Sequence, residues 1–585
     1  MKVIIVGGVA GGASTAARLR RLSEEPEILM FEKGGYVSFA NCGLPYYIGG
    51  EVSQWSNLMI TDVPKLYGRF NMDIRLKTEV VAIDRAAKKV TAKNLQTGET
   101  SEHPYDHLVI SVGCEAIVPR AIPGIDRKGH FTLKTMEDTA AIDQHIAMAH
   151  PSRVVVCGGG FIGLEIAEQL INRKFRVSIV EAMDQVMAPV DFEMAEYLHE
   201  LLRKKGVDLH LSDGVSAFDE PTSGAAASDV ILKSGARLPA DMVILALGVR
   251  PSTGFVAAAG IECTARGHVK VDDAMRTITD PCVWAVGDAI EVKNSAVGGD
   301  ETWAVALGGP ANRQGRICAE NLVGKANASK YRGTIGSNGV KLWEITAAGV
   351  GVNEKFLKTK GLPYKAIYLH PNQHAEFYPN VCKVHMKLLF DPASGKIYGA
   401  QAVGEDGVEK RIDVIATAMM GGMNARDLQD IELCYAPPFG AARDPVNFAG
   451  MIAGNIMDGL TDTITPIELI ESIKSGAFAS SKTTFLDVRP SDSVAAKPIC
   501  VVPDDQKINV SLEWVRRTLE SDPSVKARLQ QGPVIVSCMS GQRAHVASRM
   551  LRNMGFNDVK VLTGSAMTFG ITCAAMQKQC APLCN

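Results

Sequence analysis

The stretch VVVCGGGFIG at residues 154–163 decides the fold. Its apolar half predicts a short buried strand, and its glycines follow the pattern G-x-G-x-x-G at the start of a helix that runs through Leu170. A second strand is predicted at Arg176–Val180 and ends at Glu181. In such a parallel α/β unit the glycines let backbone amides approach a pyrophosphate, the helix dipole adds positive potential, and an acid about 20 residues on accepts hydrogen bonds from ribose hydroxyls.

A related unit lies near the N-terminus. It consists of the apolar run KVIIV at residues 2–6, the loop GGVAGG at 7–12, a helix to Leu22 and a strand at Glu27–Phe31 that ends at Glu32. Val9 stands where the pattern has its middle glycine. Two ordinary glycine turns would not explain the two acids, so two Rossmann-like dinucleotide-binding domains are predicted. The carboxylate of Glu181 favours NADH over NADPH, because it pairs with a free 2′-hydroxyl and repels a 2′-phosphate.

The composition excludes several classes of protein. The 585 residues contain 62 Lys plus Arg and 64 Asp plus Glu, a net charge of −2, which argues against a nucleic-acid partner. An apolar run of about 20 residues and a signal-peptide pattern are both missing from the sequence, which favours a cytoplasmic protein with no membrane partner. The 13 cysteines are scattered and odd in number, as expected of individual thiols in a reducing compartment.

Three further segments fit a protein with two dinucleotides. LVISVG at 108–113 and VILALG at 243–248 are strand-like runs that end on glycine. The segment VWAVGD at 283–288 resembles the part of the pyridine nucleotide-disulfide oxidoreductase family in which the Asp contacts the ribityl chain of FAD. The resemblance covers about residues 1–450 and implies FAD and NADH as cofactors. The cofactor-binding residues that it implies are Gly7, Val9, Ala10, Gly12, Glu32, Lys33, Val80, Gly113, Asp288, Gly158, Gly160, Phe161, Ile162, Gly163, Glu181 and Gly248.

A single cysteine follows the first unit, in the sequence SFANCG at 38–43. Disulfide reductases of the glutathione type use C-x4-C, but the residue five positions after Cys42 is Tyr47. A lone redox thiol stores its oxidised state as a mixed disulfide, a persulfide or a sulfenic acid, whereas an inert buried thiol is the alternative. The motif resembles the branch of coenzyme A disulfide reductases, NADH oxidases and NADH peroxidases. Ala10 stands where the oxidases and peroxidases have a His, which favours the reductases.

The same resemblance implies coenzyme A as a substrate or tightly bound carrier. Ser14, Arg18 and Arg21 share one face of the first helix, which suits phosphate contacts, although a solvated helix face is the alternative for the two arginines. Asn312 stands where relatives often have a His. The implied substrate residues are Ser14, Arg18, Arg21, Ser38, Asn41, Phe70, Asn312, Tyr378, Tyr435 and Arg443, and the last three would approach the site from the other subunit of a homodimer.

The C-terminal region has its own α/β pattern. It follows TDTITP at 461–466, interpreted as a turn-like linker, and contains the strand-like runs TFLDVR at 484–489 and VIVSC at 534–538, then a helix from Ala544 to Met554. The loop CMSGQR at 538–543 has the spacing C-x4-R, narrower than the C-x5-R of tyrosine phosphatases, and resembles a rhodanese. Successive backbone N–H groups in such a loop stabilise anionic sulfur. The implied sulfane-sulfur residues are Cys538, Met539, Ser540, Gly541, Gln542 and Arg543.

These segments predict an α/β protein with four domains. They are an FAD domain in two segments (1–112 and 265–330), an NADH domain (113–264), an α+β dimerisation domain (331–460) and a rhodanese domain (465–585). The combination resembles fusions of coenzyme A disulfide reductase with rhodanese that act as NADH-dependent persulfide and polysulfide reductases, with Cys42 and Cys538 as catalytic thiols. An NADH oxidase or peroxidase and a non-catalytic sulfur carrier or sensor remain alternatives. No metal site is expected, and Cys573, Cys580 and Cys584 have no predicted role.

Overall fold

The computed structural model describes residues 1–222 and 227–576. The chain divides into two compact units. The first consists of Met1–Val186 and Leu202–Thr334, and the second of Met187–Leu201 together with the chain from Ile335 onward. Cys580 and Cys584 lie outside the described residues, whereas Cys573 is buried in the helix Ser565–Met576.

Two parallel five-stranded sheets organise the first unit, and each is built around one of the glycine turns. The strands of the first sheet are, in spatial order, Val283–Ala285, His107–Ile110, Lys2–Val6, Glu27–Phe31 and Met72–Arg75. Those of the second are Asp208–His210, Arg176–Val180, Arg153–Cys157, Met242–Leu245 and His130–Phe131. The strand that precedes each glycine turn is central and almost completely buried, as expected of parallel sheets covered on both faces.

Helices and small sheets complete this unit. Its helices are Ala10–Leu22, Leu44–Gly49, Val63–Phe70, Met136–Ala149, Phe161–Asn172, Gly254–Ala258 and Gly308–Leu322, with 3-10 turns at Asn41–Gly43, Trp55–Leu58 and Gly287–Ala289. The additional strands are Thr78–Asp84, Lys89–Asn94, Thr100–Pro104, Cys114–Ala116, Val215–Asp219, Ser228–Leu232, Arg237–Ala240, Val249–Pro251, Val269–Lys270, Ile290–Lys293 and Thr302–Trp303. The helix Ala10–Leu22 packs along Gly308–Leu322, where Gly315 allows close approach because its Cβ would lie 2.6 Å from the carbonyl oxygen of Gly11.

The second unit begins with an antiparallel sheet. Its strands are, in spatial order, Asn338–Leu342, Ile345–Gly351, Ile397–Gly404, Val384–Phe390 and Lys365–Leu369. The helices beside it in the chain are Glu354–Lys360, Val408–Gly421 and Pro445–Met457, with a 3-10 turn at Asp427–Asp430, and the helix Phe192–Lys204 contributes most of its length to this unit. Lys387 is fully buried, and its Nζ lies 2.5 to 2.8 Å from carboxylate oxygens of Asp191, Glu193 and Glu354. These acids therefore serve as partners of a buried cation.

A parallel sheet forms the C-terminal part of the second unit. Its strands are, in spatial order, Asp462–Ile464, Val559–Leu562, Val534–Ser537, Thr484–Asp487 and Lys507–Asn509. Its helices are Pro466–Lys474, Ala477–Ser480, Ser491–Ala496, Val515–Ser521, Pro523–Leu529, Gln542–Asn553 and Ser565–Met576, with 3-10 turns at Asp504–Gln506 and Leu512–Trp514. Arg489 is completely buried and forms a bidentate pair with Asp487, which closes the end of a central strand.

The interpretation of residues 461–466 as a turn-like linker is wrong. Asp462–Ile464 is a strand that pairs in parallel with Val559–Leu562, and a helix begins at Pro466 behind the N-cap of Thr465. The threonines and the isoleucine are β-branched, which suits the edge of a sheet, and the C-terminal sheet therefore begins before residue 465. None of the helices in residues 1–222 and 227–576 combines the length and the apolar character that a membrane-spanning segment requires.

Candidate active site

The first glycine turn packs too closely for side chains. Gly7 has a φ of +100°, and a Cβ on Gly12 would lie 1.9 Å from the carbonyl oxygen of Gly7. Beside this turn the carboxylate of Glu32 accepts the backbone N–H groups of Gly8 and Gly34, both over 2.7 Å. Burial raises the pKa of Glu32, although the two amide bonds oppose the shift. A bare backbone beside a half-buried carboxylate fits the pyrophosphate and ribose of a dinucleotide.

The second turn repeats this geometry. Gly158 has a φ of +111°, and a Cβ on Gly163 would lie 2.0 Å from the carbonyl oxygen of Gly158. The carboxylate of Glu181 accepts the N–H groups of Gly159 and Met183, both over 2.8 Å. Among the described residues, no atom lies within 4 Å of the Cβ that Gly160 would carry, so the backbone there is open to a ligand.

Asp288 lies at the end of the first sheet, in the 3-10 turn Gly287–Ala289. Its Oδ2 accepts a hydrogen bond from the Sγ of Cys114 over 3.2 Å and lies 3.6 Å from the Nζ of Lys134. Burial, together with the charge of Asp288, raises the pKa of Cys114 to about 12, which keeps this thiol protonated. Lys134 and Cys114 were not predicted, because no sequence motif connects them with Asp288.

The remaining cofactor candidates lie around the two turns. Lys33 pairs with Glu79 over 2.7 Å, and Val80 is buried in the strand that contains Glu79. Gly113 and Gly248 follow central strands of the two sheets with left-handed backbone, at φ +65° and +99°. Val9 and Ala10 begin the first helix, and Phe161 and Ile162 begin the second.

Cys42 lies in the 3-10 turn Asn41–Gly43, directly before the helix Leu44–Gly49. It is a free thiol, and its residue is exposed. The neighbouring protein still removes part of its hydration, and this desolvation raises the pKa of Cys42. The charge of Glu165 acts in the same direction, and that of Lys134 lowers the pKa. Tyr46 donates its hydroxyl to Oε1 of Glu165 over 3.3 Å and so connects the helix after Cys42 with the second nucleotide helix.

A cleft of about 570 Å³ runs along the first helix. It brings together six of the predicted substrate residues, which are Ser14, Arg18, Arg21, Ser38, Phe70 and Asn312. The hydroxyl of Ser14 donates to Oδ1 of Asn312 over 2.5 Å, which joins two helices at the wall of the cleft. Two arginines that the sequence interpretation did not include, Arg69 and Arg316, also line it. Arg316 follows Asn312 by one helical turn, and this i+4 spacing was the signal that could have identified it.

The arginines give this cleft its chemical character. Arg18 donates to the buried carboxylate of Glu320 over 2.5 Å, so this side chain is not simply solvated. Arg21 lies over the ring of Phe70, with its guanidinium carbon 5.8 Å from the ring centroid. Four guanidinium groups beside apolar side chains suit a ligand that combines phosphates with a less polar portion.

Four predicted substrate residues lie outside the lining of this cleft. Asn41 precedes Cys42 in the 3-10 turn. Tyr378, Tyr435 and Arg443 belong to the second unit, where they are exposed, and Arg443 lies over the ring of Phe448. Their contribution to a neighbouring subunit stays a prediction.

Cys538 is buried at the end of the strand Val534–Ser537. The backbone N–H of Gly541 donates to its Sγ over 3.1 Å, and the N–H of Cys538 donates to Oγ of Ser565 over 3.1 Å. Gly541 has a φ of +105° and is the N-cap of the helix Gln542–Asn553. Met539 and Ser540 complete the loop, and Arg543 follows Gln542 in the first turn of the helix. The loop therefore directs a backbone donor at sulfur, a geometry suited to anionic sulfur.

Comparisons with known proteins agree with this geometry. Residues 1–308 match the family described as pyridine nucleotide-disulphide oxidoreductase, and residues 338–445 match its dimerisation domain. The chain is 32% identical to coenzyme A disulfide reductase of Staphylococcus aureus over 449 residues, which are 77% of this chain and 99% of that protein.

Two solved structures are similar over nearly the whole chain. Reduced Bacillus anthracis CoADR-RHD is 43% identical, with a TM-score of 0.91 and 98% of each chain covered. The NAD-dependent persulfide reductase from A. fulgidus is 33% identical, with a TM-score of 0.85, 97% of this chain covered and 100% of that chain. The chain therefore belongs to the pyridine nucleotide-disulphide oxidoreductase family and is an oxidoreductase that uses FAD and NADH.

Proposed function

We propose that this protein uses NADH to reduce coenzyme A persulfide, polysulfide and coenzyme A disulfide at Cys42. The observation that carries the proposal is the arginine-lined cleft beside Ser38 and Phe39, which stand shortly before Cys42 in the chain. Coenzyme A combines three phosphates with a long pantetheine arm and a thiol, and this cleft offers guanidinium groups and an apolar wall. The similar proteins named above act on coenzyme A disulfide or on persulfide.

The chemistry requires one thiolate and two electrons. The Cys42 thiolate attacks a sulfur of coenzyme A disulfide, which forms a mixed disulfide between Cys42 and coenzyme A and releases the other coenzyme A thiolate. With coenzyme A persulfide, attack on the inner sulfur forms the same mixed disulfide and releases hydrosulfide. FAD, which Gly7, Gly12, Glu32 and Asp288 would hold, would supply the two electrons of NADH that cleave this disulfide. Cleavage then regenerates the Cys42 thiolate and releases coenzyme A.

The C-terminal domain supplies sulfur in this proposal, as a rhodanese. The Cys538 thiolate attacks a sulfane sulfur of polysulfide, which breaks an S–S bond, releases a polysulfide one sulfur shorter and leaves Cys538 as a persulfide whose anion the Gly541 N–H stabilises. A coenzyme A thiolate then attacks the outer sulfur, which forms coenzyme A persulfide and regenerates the Cys538 thiolate. The pantetheine arm would take this sulfur to Cys42. We further propose a homodimer in which Tyr378, Tyr435 and Arg443 complete the partner's substrate site, in line with the dimerisation-domain match.

The test compares NADH turnover on coenzyme A disulfide, coenzyme A persulfide, polysulfide and hydrogen peroxide under anaerobic conditions. Cys42→Ser should abolish turnover of all sulfur substrates. Cys538→Ser should retain the reduction of coenzyme A disulfide and persulfide but lose coenzyme A-dependent sulfide release from polysulfide. Faster consumption of peroxide, or of oxygen in aerated buffer, would favour an oxidase or peroxidase. A flavin that NADH does not bleach would favour a sulfur carrier or sensor.

A further inference from the structure

The segment Thr563–Thr568 contacts two parts of the second unit at once. It consists of the two residues that follow the strand Val559–Leu562 and of the first turn of the helix Ser565–Met576. On one side it meets the loop of Cys538, and on the other it meets the strand Lys365–Leu369 of the antiparallel sheet, together with His370. Contacts that hold Thr563–Thr568 in place therefore also hold the loop of Cys538 in place.

The contacts with the loop are made by the first turn of the helix. The N–H of Cys538 donates to Oγ of Ser565 over 3.1 Å. In return, the N–H of Ala566 donates to the carbonyl oxygen of Cys538 over 3.1 Å, and that of Met567 donates to Met539 over 3.0 Å. The backbone on which the sulfur-binding loop begins is therefore held by the helix Ser565–Met576.

The contacts with the antiparallel sheet are made by two threonine hydroxyls. The N–H of Tyr368 donates to Oγ1 of Thr563 over 2.9 Å. Because Lys365–Leu369 is the edge strand of its sheet, Thr563 supplies an acceptor that a neighbouring strand would otherwise provide. Nε2 of His370 lies 2.7 Å from Oγ1 of Thr568, and both residues are buried.

The turn between these contacts is conformationally demanding. Gly564 has a φ of +67° and Ser565 a φ of +50°, and the left-handed region is unfavourable for a residue with a Cβ. A Cβ on Gly564 would lie 1.9 Å from Oγ1 of Thr568 and 2.8 Å from Cβ of Tyr368. Tyr368 of the antiparallel sheet therefore packs directly against the turn that places Ser565 beside Cys538.

His370 is itself held in place. Its Nδ1 lies 2.8 Å from Nδ1 of His385, whose ring stacks on Tyr197 at 4.3 Å between centroids. One ring nitrogen of this pair must donate and the other accept, so the geometry requires at least one neutral ring. Burial, the other histidine and Lys383 lower the pKa of His370, and burial and Lys383 lower that of His385 to about 4.

We propose that His370 and Thr568 are positioning residues of the sulfur-binding loop, which hold Cys538 in place through the left-handed turn at Gly564 and Ser565. This inference rests on the proposed sulfur-carrying role of Cys538. It means that contacts with the antiparallel sheet help to hold Cys538 in position.

Thr568→Val in the full-length holoenzyme tests this inference, with Thr572→Val as the matched control. Thr572 is on the same helix, one turn later, and is equally buried, but its hydroxyl donates to the carbonyl oxygen of Thr568. Alkylation of Cys538 by iodoacetamide is followed by peptide mass spectrometry, and sulfur loading of Cys538 from polysulfide by intact mass. Cys538 should be alkylated at least threefold faster in Thr568→Val than in Thr572→Val, because a loosened loop exposes a buried thiol. It should load sulfur at least threefold more slowly, because the loosened loop no longer directs the Gly541 N–H at the Cys538 sulfur.

His370 provides the second pair of variants, in case Thr568→Val does not fold. His370→Leu should behave like Thr568→Val, and His370→Gln, whose amide nitrogen can replace Nε2, should behave like wild type. Reduction of coenzyme A disulfide should be unchanged in all four variants. Equal alkylation rates in Thr568→Val, His370→Leu and Thr572→Val would overturn the inference. If wild-type Cys538 takes no sulfur from polysulfide, the proposed function of Cys538 fails, and the alkylation rates still decide whether His370 and Thr568 position the loop.

Discussion

Arg18 donates a hydrogen bond through Nη2 to Oε1 of Glu320 over 2.5 Å. The two residues are 302 positions apart, and the pair connects the first helix to the helix Gly308–Leu322 at the arginine-lined cleft. Burial raises the pKa of Glu320, but Arg18 and Ser329 outweigh it and hold the pKa at about 2. Arg18 therefore holds two helices together at the cleft wall and also contributes a positive charge to the cleft.

Removal of Arg18 should destabilise the protein. Arg18→Met leaves the Glu320 carboxylate with Arg316 and Lys325, both 3.7 Å away, and we expect a loss of about 2–3 kcal/mol in the free energy of unfolding. Because the folded pKa of Glu320 is depressed, this stabilisation is fully present above about pH 4.5 and is lost as the pH falls through about 2. Urea unfolding at neutral pH measures the effect.

The double variant Arg18→Met, Glu320→Gln is the control for this prediction. It removes the buried charge together with its partner, so it should be more stable than Arg18→Met alone. Additive losses in the two single variants would show that the ion pair contributes no coupling.

The arginines that line the cleft should bind coenzyme A phosphates. Arg69→Gln and Arg316→Gln should each raise the KM for coenzyme A disulfide about tenfold with little change in kcat, because a lost phosphate contact of about 1.4 kcal/mol weakens binding and leaves the reacting sulfur in place. Pantethine, the disulfide without nucleotide, should be reduced equally well by both variants and wild type. Arg276→Gln removes an exposed arginine outside the cleft lining and serves as the charge control. Equal losses with pantethine would contradict a phosphate role.

Glu181 should determine the choice of pyridine nucleotide. Glu181→Ala removes the acceptor for the ribose and the repulsion of a 2′-phosphate, so we expect kcat/KM for NADH to fall about tenfold and the ratio of NADPH to NADH activity to rise at least as much. Steady-state kinetics with both nucleotides measure this. Asp184→Asn removes a nearby exposed carboxylate and should leave the ratio unchanged. A ratio that stays constant in Glu181→Ala would show that another residue selects the nucleotide.

The reactivity of Cys42 should follow the charges around it. Glu165→Gln should lower the pKa of Cys42 and increase its alkylation several-fold at neutral pH, because one of the influences that raises the pKa is the charge of Glu165. Lys134→Met should have the opposite effect. The measurement is the pH dependence of Cys42 alkylation in NADH-reduced holoenzyme, followed by peptide mass spectrometry. The profile of Glu51→Gln, which removes a carboxylate charge but keeps an oxygen that can accept the hydrogen bond of Gln169, should match wild type. Superimposed profiles for all three variants would exclude these charges as the cause.

Local sequence patterns predicted the parts of the fold that depend on local physics. The glycine turns and their acids, Glu32 and Glu181, follow from a spacing that can be read along one βαβ unit. The linker interpretation failed at Asp462–Ile464, because a three-residue edge strand is too short for its β-branched residues to identify it and depends on pairing with Val559–Leu562.

In the cleft, too, the residues that share a local sequence pattern could be predicted, and those brought together by tertiary packing could not. Ser14, Arg18 and Arg21 could be named because they repeat along one helix face. Three features could not be named from the sequence: the place of Arg69 in the cleft, the ion pair of Arg18 with Glu320, and the cluster of Cys114, Lys134 and Asp288. Tertiary packing alone brings these segments together. The contacts of Tyr378, Tyr435 and Arg443 with a second subunit depend on assembly and stay predictions.

In the proposed reaction Cys42 stores the oxidised state as a mixed disulfide with coenzyme A. Holoenzyme with oxidised flavin and a free Cys42 thiol is mixed with excess coenzyme A disulfide in the absence of NADH, quenched in acid, and digested for mass spectrometry without reductant. We expect one coenzyme A on the peptide that contains Cys42, its loss on addition of NADH, and no such adduct in Cys42→Ser. A coenzyme A adduct confined to another cysteine, or one on Cys42 that NADH does not remove, would contradict it.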